Sequence, residues 1–288
     1  MTSPPTAAVL ERLEALEPLD PAAGAAGKAV RSAIPGGAVK DLLSGTWLGH
    51  ALHPVAAYVP LGTWMSATIL DVLGGEDAEH AADLLIGIGL AGTLPAAVTG
   101  ASDWADGELS DPGQRRVGVV HAVANTVAGG LMAWSLAERR AGRRGRGKLL
   151  ALAGASVTGF SGWLGGHLAY GLGLGVDQTT FLEPLTDWTR VDLDGAVEAG
   201  RPTRGRAGDV DLVLTRIDGE VRALADRCCH RGGPLHEGEV RDGCVECPWH
   251  GSVFAFADGS VVQGPAAYPQ RSYDVREAAG GLEVRARR

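Results

Sequence analysis

Cys228-x-His230 and Cys247-x-x-His250 stand 16 residues apart, and each pair runs on into a glycine, Gly232 and Gly251. Two thiols and two imidazoles are a metal-binding quartet. A structural zinc site would use the same residue types, usually as CxxC with an HxxxH carried on a helix. Here each of two loops supplies one thiol and one imidazole, which suits a [2Fe–2S] centre with two cysteines on one iron and two histidines on the other. Zinc remains the competing reading of the four residues.

Beyond the ligands, Cys228-Cys229-His230-Arg231-Gly232-Gly233-Pro234-Leu235 resembles the first cluster loop of the Rieske family, and Cys247-Pro248-Trp249-His250-Gly251-Ser252 the second. Gly264-Pro265-Ala266 resembles the proline loop that this family places over the cluster, and the resemblance spans Asp187 to Arg288. It implies that Cys228 and Cys247 hold the inner iron, that His230 and His250 hold the outer one and form the electron exit, and that Ser252 and Pro265 tune the centre. Imidazole ligation and hydrogen bonds to the sulfurs raise the potential.

Respiratory members carry a second cysteine in each loop, joined as a disulfide, and a tyrosine near the second loop. This chain has Gly233 and Trp249 at the cysteine positions and Phe254 at the tyrosine position, while Cys229 and Cys244 read as small, partly buried thiols. The implied type is therefore ferredoxin-like, with an intermediate to low potential. Oxygenase catalytic subunits continue into a domain with a mononuclear iron on two histidines and a carboxylate. Only 38 residues follow His250 and none is histidine, so no such activity is expected of this chain.

The elements that must position these residues differ between the two halves. The 288 residues include 26 Lys+Arg, 34 Asp+Glu, 45% hydrophobic residues, 43 Gly and 4 Cys. That balance excludes a disordered chain, a disulfide-rich domain and a basic nucleic-acid binder. Four apolar stretches, Trp47 to Leu73, Leu84 to Ala101, Val117 to Ala137 and Leu149 to Val176, are long enough to cross a lipid bilayer. Their glycines, Gly87, Gly89, Gly92, Gly129, Gly130, Gly162, Gly165 and Gly166, read as close helix contacts. Gly87 to Gly92 also fits GxGxxG, but no strand precedes it and no acidic residue follows in the required place. After Val176, short alternating runs at Val210 to Ile217, Val221 to Ala225, Val253 to Ala257 and Ser272 to Val275 are separated by Asp218-Gly219, Asp242-Gly243 and Asp258-Gly259, as in β-hairpins. The expected fold is an all-α four-helix transmembrane bundle followed by an all-β domain. The expected boundaries are a tail at 1–46 with one short amphipathic helix through Val9, Leu10, Leu13 and Leu16, a bundle at 47–176, a linker at 177–186 and the β domain at 187–288. Residues 1 to 46 hold no ordinary signal peptide, and no periodic repeat stands out.

Histidine inside a membrane is costly and points to function. His50, His53, His121 and His167 lie in or beside the spans, and counting crossings puts His53, His121 and His167 toward one face, from which the C-terminal half also leaves. A b-type haem between two of them, or a quinone or metal with Asp103 or Asn125, competes with plain interhelical hydrogen bonding. Gly49-His50-Ala51-Leu52-His53-Pro54, Thr99-Gly100-Ala101-Ser102-Asp103-Trp104 and Gly165-Gly166-His167-Leu168 resemble an uncharacterised bacterial family of four-helix membrane domains often fused to Rieske domains, over Gly45 to Asp177. Six basic residues lie near the spans on each face. Those between Arg139 and Lys148 are concentrated in one loop, which favours a cytoplasmic position for that loop and an extracytoplasmic β domain. Missing export signals and disulfides favour the opposite. The expected function is one-electron transfer at a membrane, between a redox partner protein and a haem or quinone. The alternatives are a redox or iron–sulfur sensor, or a ferredoxin whose membrane half only anchors it. No phosphate loop, nucleophile elbow or HExxH is present.

Overall fold

The computed structural model describes residues 5–287, which divide into two compact units, residues 5–33 with 52–174, and residues 34–51 with 175–287. In the helical unit, α1 (Pro5–Glu14) and α2 (Asp20–Ala33) precede α4 (Leu52–Leu73), α5 (Glu79–Gly107), α6 (Pro112–Arg140) and α7 (Arg144–Gly166); α3 (Ala38–Ser44) lies in the other unit. A π-helical turn, His167–Gly171, extends α7. The four long helices are long and apolar enough to span a membrane. Asp111 caps α6 by accepting the Gln114 N–H, and Pro112 sits in the first turn, where its missing donor costs nothing.

The first span begins at Leu52 and not at Trp47. Gly45 and Gly49 take left-handed backbone angles (φ +81° and +68°) that end the preceding turns, and residues 34–51 pack with the β unit. The N-terminal tail is likewise more than one solvated helix. Leu10 and Leu13 pack against Val117, Leu164 and Leu168, while Arg31 of α2 bonds Glu108 and Arg116 bonds Asp20.

The glycine expectation holds in part. A Cβ at Gly89 would meet Trp64 at 2.2 Å and one at Gly92 would meet Val59 at 2.7 Å, whereas Gly87, Gly130, Gly162 and Gly166 face open space. These contacts disclose an internal repeat that the sequence did not advertise. Gly89 packs on Trp64 and Gly154 on Met132; His53 bonds the Ala96 carbonyl and His121 that of Ser161. The first-helix members of these pairs are 68 residues apart and the second-helix members 65, so α4–α5 and α6–α7 are two copies of one helical hairpin. Asp71 and Arg139, equivalent in that register, form a buried ion pair.

The β unit consists of β1 (Thr189–Arg190), β2 (Asp192–Leu193), β3 (Thr203–Ala207), β4 (Val210–Ile217), β5 (Glu220–Ala225), β6 (Glu239–Arg241), β7 (Cys244–Glu246), β8 (Val253–Ala255), β9 (Val261–Gln263), β10 (Ser272–Ala278) and β11 (Gly281–Ala286). Among the described residues they form an antiparallel sheet ordered β1-β11-β10-β5-β4-β3-β2 and a smaller one ordered β6-β7-β8-β9. Asp218-Gly219 and Asp242-Gly243 are two-residue hairpin turns with positive φ at both positions, as expected. One core fills the large sheet around Leu212, Leu214 and Val284, and a second, with Leu235, Phe254 and Phe256, surrounds Cys228 and Cys247. Residues 177–186 are no linker, because Leu182 and Leu185 join the first core and Arg271 bonds the Thr180 and Leu182 carbonyls.

Candidate metal centre

Two loops supply the site. The first follows β5 of the large sheet, the second joins β7 to β8 of the small one, and both are built on one plan. The N–H of Cys228 bonds the Gly233 carbonyl and the N–H of Gly232 returns to Cys228; the N–H of Cys247 bonds the Ser252 carbonyl and the N–H of Gly251 returns to Cys247. Gly232 (φ +78°) and Gly251 (φ +74°) make the reversal that an L side chain resists. Both Sγ atoms are buried together, and the rings of His230 and His250 lie half-buried and edge to face, with centroids 5.1 Å apart.

The donor set fits a two-iron cluster. Each iron would take only two protein ligands, so a thiol pair and an imidazole pair suffice, and among the described residues no three His, Cys, Asp or Glu side chains converge as a single ion requires. The neighbouring Cys229 thiol and burial push the Cys228 pKa up to about 12, and the Cys228 thiol and burial push Cys247 upward as well. Without a bound cation these thiols stay protonated; iron would supply the charge that ionises them.

Ser252 and Pro265, which the resemblance implies as tuning residues, are both buried beside the candidate site. Ser252 is fully buried, and its Oγ accepts the N–H of Ala266 at 3.0 Å, which leaves its own proton to donate. Pro265, after a cis peptide bond to Gly264, is buried in that same loop. A Cβ on Gly233 would come within 3.0 Å of the Trp249 ring, so the positions occupied by the respiratory disulfide are in contact here, filled by an indole against a bare backbone. Phe254 is buried in the cluster core and has no hydroxyl to offer.

Several supports were not foreseen. Gln270 accepts the Cys229 N–H at 2.9 Å and donates to the Ala225 and Arg227 carbonyls, clamping the base of the first loop; Gln178 donates its N–H to the Cys229 carbonyl. Asp226 accepts both the backbone N–H of His236, at 2.7 Å, and its Nδ1, at 2.7 Å. Cys229 is fully buried, not partly, and its thiol donates to the Tyr268 carbonyl, while Cys244 is half-buried on β7. Only the turn signal at Asp258-Gly259 hinted at this region. A Cβ on Gly259 would strike the Gln270 carbonyl at 1.9 Å, so glycine there lets the glutamine segment close in.

In the helical unit the three histidines do not form one site. His167 pairs with Glu14 of α1 at 2.8 Å. His53 Nδ1 bonds the Ala96 carbonyl, with Thr99 beside it, and packs on Gly100; His121 Nδ1 bonds Ser161 and packs on Gly165. His121 Nε2 bonds the Asn125 amide at 3.0 Å, so both of its ring nitrogens are engaged and neither is left for a haem iron. His50 belongs to the β unit, its ring edge-on to Tyr268.

Residues 187–274 match the family described as a Rieske [2Fe-2S] domain, and residues 49–178 match a predicted membrane protein family, DUF2231. The anthranilate 1,2-dioxygenase ferredoxin subunit of Burkholderia cepacia is 33% identical over 100 residues, 35% of this chain and 93% of that subunit. Apoptosis-inducing factor 3 of Mus musculus is 30% identical over 90 residues, 31% of this chain, and the chain spans only 15% of that protein. Among solved structures, the ferredoxin of carbazole 1,9a-dioxygenase from Nocardioides aromaticivorans IC177 aligns at 25% identity with a TM-score of 0.32, over 36% of this chain and 100% of that one.

Proposed function

We infer that this chain, which belongs to the Rieske [2Fe–2S] family, is a membrane-anchored carrier that passes single electrons between a redox partner protein and a quinone in the bilayer. The observation that carries the reading is the paired loop: two thiols enclosed in the β core and two imidazoles toward the surface. Bound there, the cluster supplies one-electron redox chemistry. The chain's own part is to bury Cys228 and Cys247 from water and to present the rings of His230 and His250 to a partner. Exposed Trp249, edge-on to His250 at 6.4 Å, supplies apolar contact area beside them.

Quinone is preferred to haem because the Nε2 lone pair of His121 already accepts from the Asn125 amide, so His53 and His121 do not offer the two free imidazole nitrogens that a b-type haem takes. The basic joint from Arg139 to Lys148 favours its own placement on the cytoplasmic side and an extracytoplasmic β unit.

The test uses full-length protein in phospholipid vesicles with a short-chain quinol as reductant, followed by the EPR signal of the reduced cluster. Quinol should reduce the parent protein, and the His53→Leu/His121→Leu variant should be slowed at least tenfold. Equal rates would remove the quinone and leave an anchored ferredoxin; a purified chain without an iron–sulfur signal would overturn the whole reading.

A further inference from the structure

The segment 34–51, which lies outside the Rieske match at residues 187–274, packs on the proline loop over the cluster site. Thr46 Oγ1 donates to the Ala266 carbonyl at 3.0 Å, and the Asp41 carboxylate lies within reach of the Gly264 N–H. The fit is close: a Cβ on Gly264 would stand 2.4 Å from Thr46 Oγ1 and 2.7 Å from Asp41 Oδ1. Ala266 in turn bonds Ser252, whose carbonyl holds Cys247, so three successive contacts lead from the segment to a cluster ligand.

The segment is inside out. Its polar residues face the protein: Lys40 is only 6% exposed, Ser44 is buried, and Asp41 and Thr46 are half-buried. Its large apolar residues face outward, with Val39 61%, Leu42 56%, Trp47 64% and Leu48 43% exposed. No charged residue between Ala38 and Gly49 is exposed. A helix that met water on its outer face would carry the opposite pattern. Trp47 bonds its indole N–H to the Leu42 carbonyl, 3.2 Å away, so the largest outward side chain brings no unmet donor to an apolar medium.

We propose that residues 38–48 are a lipid-facing cap, whose outer side lies in the interfacial layer of the bilayer while its inner side holds the proline loop over the cluster. Lipid is favoured as the occupant by continuity of the chain. Only four residues lie between Trp47 and Leu52, where the first apolar span begins, so the five Cα steps keep Trp47 within about 18 Å of that span's end. Tryptophan is the residue that membrane–water interfaces select, and a soluble partner's patch would be expected to carry a charged rim. Asp41 and Thr46 are positioning residues in this arrangement. They touch the loop, not the cluster.

The test places a nitroxide spin label at Val39, Leu42 or Trp47, each changed to cysteine in a Cys244→Ser background of the full chain. The protein is reconstituted in phosphatidylcholine–phosphatidylglycerol vesicles with the cluster oxidised. Collision with oxygen, which concentrates in lipid, is compared with collision with a water-soluble nickel chelate, taking a label at exposed Asp209 as the aqueous reference. The oxygen-to-nickel ratio should be severalfold higher at all three cap positions than at Asp209. A ratio equal to that at Asp209 would place the cap in water and overturn the proposal. Protection from both reagents would mean that protein, a second copy or a partner, covers the face, and would overturn it equally. The electron-carrier reading stands or falls separately, on the cluster's EPR signal after the same preparation, unlabelled, is reduced.

Discussion

Ser252→Ala removes a single oxygen from the centre of the proposed chain of contacts, and two consequences can be worked out independently. The first concerns stability. Ser252 Oγ is the acceptor for the Ala266 N–H in a fully buried place, and stranding such a donor costs about 1–3 kcal/mol. The second concerns the electron. If the hydroxyl proton is donated to a cluster sulfur, that bond favours the reduced state, which carries one more negative charge. Hydrogen bonds to charged groups contribute roughly 1.5–3 kcal/mol, of which the difference between oxidation states is a part. A difference of about 1.4 kcal/mol corresponds to about 59 mV for one electron. The midpoint potential of the variant should therefore fall by about 60 mV, read by EPR-monitored redox titration of the full chain, alongside a lower thermal midpoint. A destabilised variant with an intact cluster signal and the parent potential would refute the tuning argument and leave Ser252 as a clamp on the proline loop alone.

Replacing His250 with cysteine exchanges a neutral ligand for a thiolate, and the potential should drop toward the roughly −400 mV of all-cysteine ferredoxins in the same titration. Because positions 233 and 249 touch, the Gly233→Cys/Trp249→Cys pair should oxidise to a disulfide. Mass spectrometry should show the loss of two hydrogens, and the melting point should rise in proportion to about 3 kcal/mol and fall back with reductant; free thiols after oxidation would show that the two positions do not meet. Burial raises the Asp41 pKa above the ordinary 3.8, against the opposing pull of the Gly264 N–H. The folded state thus holds this proton more tightly than the unfolded state does. Stability should be greatest below the unfolded value and decline as pH rises through the folded one, a slope that Asp41→Asn should flatten in melts from acid to neutral pH. In the helical unit, Arg139→Ala leaves Asp71 and Asp83 without their buried guanidinium and should cost roughly 3–5 kcal/mol in detergent unfolding; the Arg139→Leu/Asp71→Leu pair should cost less.

The sequence by itself determined everything that depends on residue type at short range. Four candidate ligands at fixed spacing, two loops running into glycine, two Asp-Gly hairpin turns and four apolar runs could be read because each is a local rule, set by coordination chemistry, by positive φ or by the length of a bilayer crossing. What only the tertiary structure decided depends on residues far apart in the chain. Gln270 clamps a loop some 40 residues before it, His121 meets a carbonyl 40 residues on, and Thr46 meets one 220 residues away. None of these partners has a composition or period that marks it, since glutamine, threonine and serine are common on any surface. The repeat of the helical hairpins was hidden for a related reason: packing conserves a place for a small residue against a large one, and Trp64 and Met132 fill it equally well. The cap is the clearest case. Trp47 and Leu48 read as the first turn of a membrane span, and Val39 and Leu42 fell in the tail before it, since hydropathy reports that a residue avoids water but not which neighbour it avoids water with, and only the fold turned Lys40 and Thr46 inward and left the apolar side outside.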